Sequence, residues 1–115
     1  MKEIKAYIQR HRVNKVVDAL EKAGVSGITI VEVHPVQYGY DPNYFEYQID
    51  DAFKRYKIWH IVKPEIVCDE RDLDRFTDII RDVCVTGAKG DGMIFISDVA
   101  AAIRIRDGAR DLQAL

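Results

Sequence analysis

Two groups of residues in this chain have the types and spacing to hold an anion. The first is Thr86-Gly87-Ala88-Lys89-Gly90-Asp91-Gly92. Its three glycines fall within six residues, so the backbone can turn sharply and aim several N–H groups at one point. Phosphate is the usual anion of such a nest. The second is Ile103-Arg104-Ile105-Arg106. On a strand, residues two apart point to one face, and two guanidiniums on one face clamp phosphate oxygens. The pair points to a nucleotide or phosphate site. Each group also has a plainer reading: a glycine turn ahead of a strand is often only a turn, and paired arginines are often a solvated face. No Gly-Lys-Ser/Thr follows the glycines, which excludes a Walker motif. A strand follows them and not a helix, which excludes a dinucleotide fingerprint.

The elements that must position these groups are legible from periodicity. Residues 2–9 alternate, with Ile4, Ala6 and Ile8 on one face and Lys5, Tyr7 and Gln9 on the other. Val13, Val16, Val17, Leu20 and Ala23 recur at helical spacing, and Gly24 can close that helix. Residues 26–33 are rich in β-branched residues and read as a strand. Residues 57–67 read as a third strand, in which Pro64 removes a ladder donor and predicts a bulge or local break. Leu73, Phe76, Ile80 and Val83 form a helical stripe over about 71–84, with charges on the remaining positions. Residues 93–98 read as a fourth strand and 102–106 as a short fifth. The order βαββαβ is that of an α+β, ferredoxin-like sandwich. The strands carry apolar residues on both faces, as in Met93 and Phe95 against Ile94 and Ile96. A sheet apolar on both sides predicts an oligomer that covers the second face.

Composition narrows the function classes. A chain of 115 residues supports one modest core, so residues 1–115 read as a single domain. The formal net charge of −2 argues against a nucleic-acid binder, which is usually basic. No apolar run approaches the length of a membrane span, and the charged Met1-Lys2-Glu3-Ile4-Lys5 start does not read as a signal peptide. A cytoplasmic protein is expected. Cys68 and Cys84 read as buried free thiols. His11, His34 and His60 are scattered, so no metal site is assigned.

The order of these residues resembles a known family. Thr86-Gly87-x-x-Gly90-Asp91-Gly92-x-Ile94-Phe95, a short gap, and Ile103-Arg104-Ile105-Arg106-x-Gly108 are similar to the B-loop and C-loop of the PII nitrogen-regulatory signal-transduction proteins. Met1-Lys2-x-Ile4, Asp18-Ala19-Leu20-x-x-x-Gly24 and Gly27-Ile28-Thr29-Ile30-Val31-Glu32-Val33 agree with it. The resemblance covers residues 1–33 and 63–110 and fails between about 34 and 62. It implies a homotrimer with nucleotide in the clefts between subunits, a long T-loop at about 36–56, a B-loop at 86–93 and a C-loop at 103–110. The nucleotide residues that it implies are Thr29 near the adenine, Glu65 and Val67 lining the same pocket, and Thr86, Gly87, Lys89, Gly90, Asp91 and Gly92 around the phosphates. Arg104 and Arg106 would reach phosphates of a nucleotide held largely by the neighbouring subunit.

The departures from the family shape the expected ligand. Met93 stands where the family usually has a lysine that contacts the phosphate chain. Its loss removes one charge-assisted hydrogen bond, about 1.5–3 kcal/mol unless Lys89 compensates. ADP or AMP is therefore expected to be favoured over ATP. His34-Pro35-Val36-Gln37-Tyr38-Gly39 replaces the Gly-x-Gly-Arg-Gln stretch that serves ATP–Mg and 2-oxoglutarate in the family. The residue that the family uses for 2-oxoglutarate aligns near Ile61, beside His60 and Lys57.

Most of the aromatics crowd into this region: Tyr38, Tyr40, Tyr44, Phe45, Tyr47, Phe53, Tyr56 and Trp59. They either order the loop by packing or form a recognition surface, with Tyr38, Tyr40, Tyr44 and Tyr47 as the candidate partner contacts. Glu46-Tyr47-x-x-Asp50 is similar to the context of the tyrosine uridylylated in enteric members, without the preceding Arg-Gly. The expectation is a non-enzymatic regulator that binds adenine nucleotide as ligand, with no cofactor and no catalytic residue. Its loop would act on a transporter or metabolic enzyme. The alternatives are a slow nucleotide hydrolase on the same fold and an ATP/2-oxoglutarate nitrogen sensor.

Overall fold

A computed structural model describes residues 1–37, 57–58 and 61–115. The chain runs β1 (Lys2–Gln9), α1 (Val13–Lys22), β2 (Thr29–Glu32), β3 (Val36–Gln37), β4 (Lys57–Ile58), β5 (Ile61–Cys68), α2 (Leu73–Cys84) and β6 (Met93–Asp98). Single 3-10 turns precede both helices, at Arg10–Arg12 and Glu70–Asp72. The second is started by Asp69, whose carboxylate accepts from the Arg71 backbone N–H at 2.9 Å. This is the N-cap role for which a short carboxylate is suited.

The four long strands form one sheet in the order β2-β5-β1-β6, and each neighbouring pair is antiparallel. Two helices cover one side of it. This is the α+β ferredoxin-like arrangement that the βαββαβ pattern predicts. The period-2 pattern of β1 puts Ile4, Ala6 and Ile8 into the core, and β5 adds Ile66 and Cys68. The helices meet them with residues one turn apart: Val16 and Leu20 from α1, and Phe76, Ile80 and Cys84 from α2. Both cysteines are free and buried, as their apolar setting predicts, and burial pushes both thiols up.

Of the two outcomes expected at Pro64, a bulge or a local break, the strand shows the break. Lys5 pairs with Glu65 and Ile8 with Val62, so the register across Pro64 is unbroken. Only the two intervening pairs, at Ala6 and Tyr7, drop out of the β1–β5 ladder. A missing N–H at residue 64 interrupts the ladder without adding a residue. Full burial of Pro64 and its pairing with Ile30 on the other side hold the strand in line.

Three boundaries also differ. The strand expected over 26–33 is confined to β2, because only its last part reaches β5. The strand expected over 57–67 divides: Lys57–Ile58 pairs with Val36–Gln37 in a separate ladder, and Ile61–Cys68 enters the main sheet. The expected fifth strand at 102–106 is not a strand. Ile103 makes a lone bridge to Arg110, and the chain between them folds back on itself. Gly108, at φ 72°, supplies the left-handed residue that this reversal needs.

Candidate functional site: a glycine loop, a strand-edge cleft and an arginine turn

The glycine loop leaves α2 and returns to the sheet as β6. Its closure is made by one carboxylate. Asp91 accepts from the backbone N–H of Thr86 at 2.8 Å and of Gly87 at 2.9 Å, and from the Thr86 hydroxyl. These bonds, the Thr86 side chain first, hold the Asp91 carboxyl below the usual carboxylate range. The Ala88 N–H donates to the Thr86 hydroxyl at 3.2 Å. Two of the N–H groups that a phosphate nest would use are therefore already satisfied by Asp91. Lys89 lies exposed at the tip and makes no ion pair among the described residues.

Two contacts tie this loop to β1. The Gln9 side-chain amide donates to the Gly90 carbonyl at 2.6 Å. Gln9 is the one buried polar residue among the described residues, 7% exposed. Its part in the loop was hidden in the alternation of β1, which marks it only as an outward polar residue. At Gly92 the backbone approaches Tyr7 so closely that a Cβ would lie 1.8 Å from the Tyr7 carbonyl oxygen. Met93 then begins β6 with its side chain 59% exposed. It borders a cleft of about 330 Å³ with Ile8, Ile80, Cys84, Asp91 and Gly92.

The residues expected near an adenine come together at the β2–β5 end of the sheet. Thr29 pairs directly with Glu65 across β2 and β5. Both line a cleft of about 350 Å³ with Val67, Glu3 and Ser26. The chain's last residues, Ala114 and Leu115, also line it, which nothing in their sequence signals. Glu65 is held by Lys63 at 2.8 Å, and Lys63 also lies over the Tyr7 ring.

Arg104 and Arg106 lie in the reversal between Ile103 and Arg110, not on a strand. The turn is closed by the Arg104 N–H donating to the Ala109 carbonyl and the Gly108 N–H donating to the Arg104 carbonyl, both at 2.8 Å. The two guanidiniums nevertheless converge on one group, the Asp107 carboxylate. Among the described residues no hydrogen bond or ion pair joins this turn to the glycine loop. The loop tyrosines Tyr38, Tyr40, Tyr44 and Tyr47, with His60 and Trp59, lie outside the described residues. No group of three or more His, Cys, Asp or Glu among the described residues could hold a metal ion. No helix among them is long and apolar enough to cross a membrane.

Comparison with known proteins gives a consistent result along the chain. The family described as Nitrogen regulatory protein P-II matches residues 1–109. The chain is 38% identical to the Nitrogen regulatory protein P-II of Bradyrhizobium diazoefficiens, over the full length of both. It is 39% identical to that of Porphyra purpurea and 38% identical to Nitrogen regulatory protein P-II 1 of Escherichia coli, again over both full lengths. Among solved structures it is similar to a GlnK–ATP complex from B. subtilis, with a TM-score of 0.79 and 25% identity. That match covers 99% of this chain and 94% of the other.

Proposed function

Because the chain belongs to the P-II family of nitrogen regulatory proteins, we propose that it is a regulator that binds adenine nucleotide between the subunits of a homotrimer. The observation that carries this reading is the convergence of Arg104 and Arg106 on a single carboxylate. A guanidinium pair already aimed at one oxyanion needs little rearrangement to take a phosphate. The Thr29–Glu65 cleft supplies a place for the base, and the GlnK relative is known as an ATP complex. In this reading the arginine turn of one subunit meets the glycine loop and base cleft of its neighbour. The nucleotide site is then complete only in the assembly.

The ligand is ADP or AMP in preference to ATP. Met93 is a thioether where a cation would balance the phosphate chain, and its loss costs about 1.5–3 kcal/mol of binding. Residues 36–56 transmit occupancy to a membrane transporter or a metabolic enzyme. The protein is a regulator and not an enzyme: Asp91, the carboxylate within the glycine loop, has its oxygens engaged by Thr86 and Gly87 and is not poised as a base.

Separate calorimetric titrations with AMP, ADP and ATP, each with and without 2-oxoglutarate, test this. ADP or AMP is expected to bind at least as tightly as ATP, with little response to 2-oxoglutarate. Met93→Lys should move the preference toward ATP. Tight ATP binding by the native protein, strengthened by 2-oxoglutarate, would show that the departure at Met93 does not set the ligand.

A further inference from the structure

Asp107 lies between the two arginines of the turn and Gly108, and the nucleotide reading gives it no role. It holds Arg104 at two points, Nε to Oδ1 at 2.9 Å and Nη2 to Oδ2 at 2.7 Å. Arg106 Nη2 lies 3.8 Å from the same Oδ2. The guanidinium fork matches carboxylate and phosphate alike, so a phosphate and the Asp107 carboxylate compete for the same donors. The turn itself does not depend on that charge. Its backbone is closed by the Arg104–Ala109 and Gly108–Arg104 hydrogen bonds. Beyond these, Asp107 contributes only an oxygen that accepts the Ala109 N–H at 3.0 Å, and a neutral side chain can supply that.

We propose that Asp107 is an internal competitor for the nucleotide phosphates, and that it sets the selectivity of the arginine turn against ligands with more phosphate charge. The inference rests on the nucleotide reading above. With Asp107 in place, the formal charge at the clamp is that of one cation and not two. A phosphate must displace the carboxylate or lie beside it, and the repulsion grows with each added phosphate charge. Asp107 therefore acts in the same direction as Met93 but from a different loop. Hydrogen bonding to Arg104 also holds the Asp107 carboxyl below the usual carboxylate range, so the competitor stays charged at neutral pH.

Asp107→Asn keeps an oxygen for the Ala109 N–H and removes the charge. Asp107→Ser does the same with a smaller side chain and guards against an effect peculiar to one replacement. Both are titrated beside the native protein with AMP, ADP and ATP. The expected result is tighter binding by both variants, roughly two- to fivefold for AMP, the scale of an exposed ion pair, and a larger gain for ATP. Binding by the variants alone is the same result in stronger form. Equal or weaker affinity in both variants overturns the role of Asp107 and leaves the nucleotide reading standing, as does a gain no larger for ATP than for AMP. If neither native protein nor variant binds any of the three, the nucleotide reading fails and the competitor with it.

Discussion

At Gly92 the glycine loop passes too close to β1 for any side chain. A Cβ there would meet the Tyr7 carbonyl oxygen at 1.8 Å and the Tyr7 carbonyl carbon at 3.0 Å, and both are backbone atoms that cannot rotate away. Its φ of 112° adds a second objection. Gly87 shares the positive φ, at 86°, but has nothing within 4 Å of its Cβ position. The two glycines should therefore respond differently to alanine. Gly87→Ala carries only the left-handed backbone cost, about 1–2 kcal/mol. Gly92→Ala adds displacement of the loop from β1 and should cost about 3 kcal/mol or more. Thermal unfolding of the two variants side by side checks this, and equal losses would mean that the close approach to Tyr7 is not maintained.

The β3–β4 ladder is the element that couples the long loop to the sheet. Val36 pairs with Ile58 and Gln37 with Lys57, so the chain leaves and returns at one place. One side of this place continues from β2, which bears Thr29, and the other leads toward β5, which bears Glu65 and Val67. A ligand in the Thr29–Glu65 cleft thus lies against both strands that flank the loop. A regulator works by binding one loop arrangement better than another. Saturating nucleotide should therefore change the rate at which protease cleaves within residues 38–56, together with the fluorescence of Trp59. Arg104→Ala combined with Arg106→Ala should remove both responses and leave the fold intact, since neither arginine contributes to the core. Cleavage that ignores saturating nucleotide would describe a passive binding module.

For the whole molecule the question is what covers the sheet face away from the helices. Tyr7, Met93 and Phe95 share that face, with Tyr7 and Phe95 in an edge-to-face contact at 5.7 Å between ring centres. Phe95 is 55% exposed although it stands mid-strand in β6. Ile105 is fully exposed at the arginine turn. Exposed apolar groups gathered on one sheet face mark an interface. The proposed trimer would bury them around its axis. Sedimentation should show a trimer at micromolar concentration. Phe95→Glu should dissociate it while keeping the helical and strand signal in circular dichroism, because the substituted side chain faces away from the core. Dissociation should also abolish nucleotide binding if the site is shared between subunits.

Periodicity alone determined the two-layer plan of this protein. Ile4, Ala6 and Ile8 at period two, and Val16, Leu20, Phe76 and Ile80 at helical period, leave one way to bury both patterns together. The glycine loop and both arginines were legible as residue types, because turning tightly and holding an oxyanion each demand particular chemistry. What those groups touch was decided only by the tertiary structure. Gln9 reaches Gly90 across 81 residues of sequence, and Gly92 is required by the carbonyl of Tyr7, still further away in the chain. The strand expected at 102–106 failed because a strand needs a partner along its length. Here the chain had only itself to return to, so Gly108 and the Arg104–Ala109 hydrogen bond made a turn. That reversal, which local propensity does not specify, is what brings Asp107 onto Arg104.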